Sequence, residues 1–482
     1  MAAPDDLRLL TEYGARLDAV HAQADLRLAL QVEMVDQADR GARELVKEAG
    51  SRHLAGGAAA DADRQSGAWD ALSLYCAQLE AAYVHLVRQF QTYSLGWAEV
   101  GDKIPMVVAR ALRATAMRLK WQYMRYLPVE KDIWQTLSQL WTFVEDKGLA
   151  QARVVVYEDK STLVREFLKP MMLAVSAADG LPAQEVDIAR SVIDHLSDRF
   201  ELQRHPGKAC NFFVDIDRWT PPERYTPVSV VRSGARFFGA GRVMEQIDDL
   251  VARLAAGEIL PREMSLDHVS DMGAVVHVLE HLGRQWWGQR PERKAERRRS
   301  VGQIGVVHGF EPIMARLASE DVAELVKPAP QTWNVENESA DGYGAAVPRG
   351  EGDWLQVGKI IALKAADTRI WAIGIVRRLA AGQDGQRHAG IELLARGARP
   401  VSLRRRTDAR EEWRGLLLPS HSGGDASLGE VSLLLPAGTF HAEANLEMQV
   451  YSTGYVLEPR LLLEHDAQFE MARYRIVQRA GG

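Results

Sequence analysis

The chain has 482 residues, 46% of them hydrophobic and 26% charged, with 39 Gly and 19 Pro, which excludes collagen-like, low-complexity and wholly disordered classes. Against 59 Lys and Arg stand 65 Asp and Glu, a net charge of −6 that argues against a globally cationic binder of nucleic-acid polymers but leaves room for a local basic patch. The two cysteines, Cys76 and Cys210, make neither a disulfide framework nor a cysteine zinc site and fit a reducing compartment. With no basic-then-apolar leader at the start and no run of about 18 apolar residues, the expected location is the cytoplasm, without membrane insertion. At roughly 100–200 residues per domain, the length allows about two to four domains.

To about residue 287 the periodicity is helical. Leu72, Cys76, Leu79, Tyr83, Leu86, Phe90 and Tyr93 alternate steps of four and three, which holds one apolar stripe on a single helix face. A second helix is expected to begin near Pro105, a residue that fits a first turn, and to run to about Tyr126. A third, over 131–144, turns Trp134, Leu137, Trp141 and Val144 to one side. Residues 55–67, small and polar, read as an exposed loop. The short apolar runs 153–157 and 211–215 fit either brief strands or buried helix turns, because periodicity does not separate the two at this length. Helix returns at 243–256 and 266–286, the second with Ser265 as its N-cap. These segments divide into expected helical subdomains at 1–150 and 151–287.

From Val301 onward β-branched runs alternate with Gly-containing turns. VGQIGVV (301–307), TWNVEN (332–337), LQVGKIIAL (355–363), RIWAIGIVRRL (369–379) and AGIELLA (389–395) have the lengths and punctuation of an antiparallel barrel or sandwich. One helix, about 311–325, interrupts them. Beyond Pro400 the pattern continues through SLGEVSLLLP, NLEMQVYS and RYRIVQR. The predicted class is α+β multidomain: an all-α N-terminal half, an antiparallel β-domain with an inserted helix over 288–400, which the resemblance drawn below makes a β-barrel, and a β-rich extension over 401–482. Helices first and strands afterwards argue for separate domains rather than one alternating sheet.

The junction of the halves carries the chemistry. Residues 290–299 read RPERKAERRR, five Arg and one Lys against two Glu, a local net of +4. Guanidinium groups offer forked donors to phosphate and a planar face for stacking on a base. A solvated linker is the plain alternative. Farther on, Asn337-Glu338-Ser339-Ala340-Asp341-Gly342 ends a predicted strand, with Asn and Ser able to hydrogen-bond a ligand edge and Gly342 supplying the freedom of a tight turn. Together these two stretches resemble the PilZ domain family of bacterial cyclic di-GMP receptors. Arg293–Arg297 fits that family's RxxxR element before the barrel, and Asn337–Gly342 fits its (D/N)xSxxG element on a barrel strand. The VGK at 357–359, WAIGIVRRL at 371–379 and GIELL at 390–394 are similar as well. The likeness covers about 289–400, and the helical half resembles more loosely that of long PilZ proteins.

The resemblance implies a cytoplasmic second-messenger receptor and not an enzyme, with cyclic di-GMP as ligand and no cofactor or metal. Arg293 and Arg297 would clamp guanines and phosphates, with Asn337, Ser339 and Gly342 as the barrel-side floor. Arg290, Lys294, Arg298 and Arg299 are neighbouring choices of register, of which Arg290 and Arg298 join the expected ligand set. The arginine segment is expected to order on the ligand and reposition the helical half, which would meet an unidentified protein partner. The alternative is a PilZ-like adaptor that has lost nucleotide binding, since 39 residues separate Arg297 from Asn337, more than is usual in the family. Other motifs point elsewhere and carry less. His277-Val278-Leu279-Glu280-His281 matches an inverted zinc-protease pattern but lacks a downstream helix for a third ligand. Asp215 and Asp217 fit a turn before Pro221-Pro222 as well as a cation site.

Overall fold

The computed structural model describes residues 4–480 apart from 23–25, 56–61, 93–99, 230–231, 267–268, 270, 288–296, 318–328, 349–353, 383–384, 407, 420–428 and 451–452. It divides into two compact units, Met1–Glu292 and Arg293–Gly482.

The first unit is built on helices α1 (Pro4–Ala22), α2 (Leu28–Ala55), α3 (Ala62–Thr92), α4 (Ile104–Met124) and α5 (Lys131–Asp146). Leu72, Cys76, Leu79, Tyr83, Leu86 and Phe90 of the α3 stripe are all buried, as their spacing requires; Tyr93 lies outside the described residues. The loop expected at 55–67 is shorter than read, because α3 already starts at Ala62. Pro105 stands in the first turn of α4. A hairpin of β1 (Arg153–Val156) and β2 (Asp159–Thr162) leads to α6 (Leu163–Ala174) and α7 (Ala183–Leu196). Strands β3 (Glu201–Gln203), β4 (Phe212–Asp215), β5 (Glu223–Arg224) and β6 (Ala235–Gly239) form a sheet in the order β3-β6-β4-β5. Both short apolar runs are therefore strands. Helices α8 (Val243–Ala255) and α9 (Met272–Trp286) complete the unit. One hydrophobic core runs from Leu10 to Trp286.

The start of α9 corrects the sequence reading. Ser265 is not an N-cap; it ends a short 3₁₀ turn, Arg262–Met264, in the left-handed region at φ 53°. The helix begins seven residues later, capped by the Asp271 carboxylate, which accepts from the backbone N–H groups of Gly273 and Ala274.

The second unit contains two closed six-stranded barrels. Strands β7 (Arg298–His308), β8 (Gln331–Ser339), β9 (Gly342–Val347), β10 (Ile360–Ala365), β11 (Ala372–Ala381) and β12 (Arg387–Ala395) close in the order β7-β8-β9-β12-β11-β10. Helix α10 (Phe310–Leu317) lies in the β7–β8 connection, as the sequence suggested; residues 318–328 are outside the described set. Strands β13 (Arg399–Arg405), β14 (Asp408–Leu418), β15 (Glu430–Pro436), β16 (Leu446–Val450), β17 (Thr453–His465) and β18 (Phe469–Ala480) close as β13-β14-β15-β18-β17-β16. Counted by order of appearance, both barrels follow the same path, first, second, third, sixth, fifth, fourth. Closure pairs every strand on both sides and leaves no open edge.

The two barrels meet along an apolar seam. Val307, Phe310, Ile313, Ile360, Ile373 and Ile375 of the first pack with Leu416, Leu418, Leu434 and Phe469 of the second in one buried cluster. Ion pairs reinforce it: Lys359 Nζ lies 2.9 Å from Asp466 Oδ2, and Arg377 donates to both Glu392 of its own barrel and Glu464 of the other.

Candidate functional site

Arg298 and Arg299, the last arginines of the basic segment, and the Asn-Glu-Ser motif are neighbours across one ladder. Strand β7 pairs antiparallel with β8, setting Arg298 opposite Glu338 and Arg299 opposite Asn337. Strands β7 and β8 and, at the far end of their pairing, α10 account for most of the described residues between. The long spacing therefore does not part Arg298 and Arg299 from the motif, because antiparallel strands bring the first residues of one beside the last of the other.

A bulge decides which way the motif faces. On the β8–β9 ladder Val335 pairs with Ala345, but Asn337 pairs with Gly344, leaving Glu336 as the extra residue. Paired residues share a face, so Val335 and Ala345, both buried, mark the barrel interior, and the bulge turns Asn337 and Ser339 to the exterior. The same register extends across the sheet: Asn337 to Gly344, Gly344 to Gly390, Gly390 to Arg378. An outer-face row thus reads Arg299, Asn337, Gly344, Gly390, Arg378. At a strand spacing of about 4.8 Å it runs about 19 Å along the curved surface, cationic at both ends, with Asn337 and two glycines between.

The two glycines make that floor. A methyl group on Gly344 would sit 2.5 Å from the Asn337 amide, so the Asn side chain lies flat over the missing Cβ. One on Gly390 would stand 3.2 Å from Arg378 Cβ. Asn337 Oδ1 is buried and has no hydrogen-bond partner among the described residues, a state that costs about 1–3 kcal/mol until a donor meets it. Ser339 Oγ stands 3.4 Å from the Gly342 carbonyl.

Of the sequence-derived site residues, Arg290 and Arg293 lie outside the described residues. Arg297 is exposed just ahead of β7, and Arg298 opens that strand, also exposed. Gly342 has a different role from the one expected. It opens β9 with no positive φ, so no turn demands it. Its need is close approach: an added Cβ would lie 1.9 Å from the Ile391 carbonyl oxygen of β12. The turn itself is Ala340-Asp341, and it is tied down by Arg396 Nη2 donating to the Ala340 carbonyl at 2.6 Å and by Leu393 N–H donating to the Asp341 carbonyl at 2.8 Å. Sequence reasoning did not find Gly344, Gly390 or Arg378 as parts of this face. No local signal marks them, because their common row exists only once three ladders and two bulges are set.

The other motifs have ordinary partners. His277 Nδ1 pairs with Glu185 at 2.8 Å, while His281 Nε2 meets the Ser176 carbonyl at 2.7 Å deep in the core. Among the described residues no group of three or more His, Cys, Asp or Glu is arranged to hold a metal. The Asp217 backbone N–H donates to Asp215 Oδ1, a turn contact. Among the described residues no helix is long and apolar enough to cross a membrane.

Comparison with known proteins bears on the same regions. Residues 318–400 match the family model of the cyclic-di-GMP receptor FimW middle PilZ domain, and residues 2–207 match that of the FimW N-terminal domain. The chain contains a PilZ domain, preceded by a helical region. The cyclic-di-GMP receptor FimW of Pseudomonas aeruginosa is 20% identical over 391 residues, which cover 65% of this chain and 63% of the relative. The match to the PilZ model begins downstream of the basic segment, so Arg293 and Arg297 fall outside both matched regions.

Proposed function

We propose that this PilZ protein is a receptor for cyclic di-GMP, bound on the outer face of its first barrel. The observation that carries the reading is the pairing of Arg299 with Asn337 across β7 and β8, which joins the basic segment to the polar motif. A dinucleotide with two guanines and two phosphates matches this chemistry. Arginine forks pair with guanine O6 and N7 or with phosphate oxygens. The unpartnered Asn337 Oδ1 is an acceptor suited to the guanine N2 amino group, which would relieve its burial cost. Arg293 and Arg297 serve as clamps, with Arg290 and Arg298 beside them, and Asn337, Ser339 and the glycine floor receive a base.

Binding would neutralise a segment whose like charges otherwise repel, and that segment joins the two units. Repositioning of the helical unit toward a protein partner follows only if the nucleotide binds one arrangement more tightly than the other. The test is titration calorimetry of the full chain with cyclic di-GMP, beside an Arg293→Ala/Arg297→Ala double variant. The expected result is micromolar or tighter binding in the wild type and none in the variant. A folded wild type that gives no heat and no competition removes the receptor reading and leaves the barrel as an adaptor.

A further inference from the structure

The two barrels share a strand path, so their positions can be compared: β14 corresponds to β8, β15 to β9 and β18 to β12. Where β8 ends in Asn337-Glu338-Ser339, β14 ends in Leu416-Leu417-Leu418. The outward pair Asn337 and Ser339 has as its counterpart Leu416 and Leu418, both buried in the seam. Leu434 on β15 and Phe469 on β18 join them there, while Leu433 and Leu435 fill the second barrel's own interior. The face that in the first barrel is polar and glycine-floored is in the second apolar and covered by the first. No guanine or phosphate finds partners on it.

This docked barrel reaches the motif hairpin by two routes. Glu392 stands opposite Gly342 in the β9–β12 ladder and accepts from Arg377 Nε at 2.7 Å, while Arg377 Nη1 donates to Glu464 of the second barrel at 3.1 Å. Arg377 is the extra residue of a bulge between Val376 and Arg378, so adjacent guanidinium groups serve the seam and the outer-face row. Leu393 near the end of β12 and Arg396 in the short stretch that leads from β12 into β13 of the second barrel hold the Ala340-Asp341 turn.

We propose that the second barrel is a built-in regulatory partner of the nucleotide site: the face that corresponds to the first barrel's ligand face docks on the first barrel, and the closed seam holds the Asn337–Gly342 hairpin in its binding arrangement. The inference rests on the receptor reading above. Coupling of this kind is reciprocal, so a loosened seam weakens the nucleotide and bound nucleotide tightens the seam.

The experiment compares full-length wild type, Glu464→Gln and Arg396→Ala for cyclic di-GMP affinity by calorimetry, and follows β17 amide exchange with and without nucleotide. Glu464→Gln cuts one seam tie and Arg396→Ala releases the turn from an exposed position, so the second decides if the first fails to fold. Expected are an affinity loss of at least about fivefold in each and slower exchange at 462–465 when the wild type binds. Wild-type affinity in folded variants, or unchanged exchange in β17, overturns the coupling and leaves the receptor reading intact. Absence of binding by the wild type overturns both.

Discussion

Gly342 and Gly344 lie two residues apart on β9, yet an added methyl group meets a different obstacle at each. At Gly342 it meets the Ile391 backbone oxygen at 1.9 Å, so β9 and β12 must part. Gly342→Ala is expected to cost about 1–3 kcal/mol, read as a lower urea midpoint. At Gly344 the nearest atoms are those of the movable Asn337 amide, 2.5–2.8 Å away. Gly344→Ala is expected to keep most of the stability and lose cyclic di-GMP affinity, a split that urea unfolding and calorimetry on the same sample resolve. In the helical unit, burial pulls the His281 imidazole down to about 4 from its ordinary 6.5, outweighing the hydrogen bond to Ser176. Between those values the unfolded chain carries the proton and the folded chain does not. Stability therefore falls as pH drops from about 6.5 to about 4, by roughly 3 kcal/mol. Glu166 adds a lower window: burial pushes it up, but Lys169 and Arg113 outweigh that and hold it at about 2, so its contribution fades between 4.5 and 2. Denaturation at pH 7, 5 and 4 checks this, with His281→Gln expected to flatten the upper window.

At the scale of elements, what the sequence made legible follows periodicity. The α3 stripe and the Trp134, Leu137, Trp141, Val144 face of α5 are buried as their spacing predicts, because a helix of 3.6 residues per turn has one inner side. Helix starts were less legible. Serine and aspartate both cap helices well, but the chain is left-handed at Ser265, and α9 starts from Asp271. Asp271→Ala is expected to destabilise the helical unit by about 1 kcal/mol, measurable as a lower midpoint in thermal unfolding. Strand β9 was hidden for another reason. Its sequence, GYGAAV, has neither β-branched alternation nor a polar edge, and it is a strand because β8 and β12 flank it.

For the whole molecule, each unit has its own core, and calorimetry of the full chain is expected to resolve two unfolding transitions. Cyclic di-GMP at 100 times its Kd should stabilise the barrel unit's transition by about 2.7 kcal/mol and leave the helical unit's own core unshifted. Both barrels should melt together, since Leu416, Leu418, Leu434 and Phe469 lose their cover if either opens. The −6 net charge of the chain says nothing about the site, because a segment of +4 determines the local field within a Debye length of about 8–10 Å.

The order of helices and strands, the basic segment and the Asn-Glu-Ser motif were all present in the sequence, because side-chain type and period fix local structure and ligand chemistry. Which face the motif takes was not. That depends on the extra residue Glu336 and on ladders joining strands far apart in the chain, and a one-residue change of register turns every side chain over. The second barrel's strand path, the burial of its outward Leu416 and Leu418 against the first barrel, and the Arg377 tie to Glu464 belong to the tertiary structure alone. Each is a relation between distant residues, and local periodicity carries no record of it.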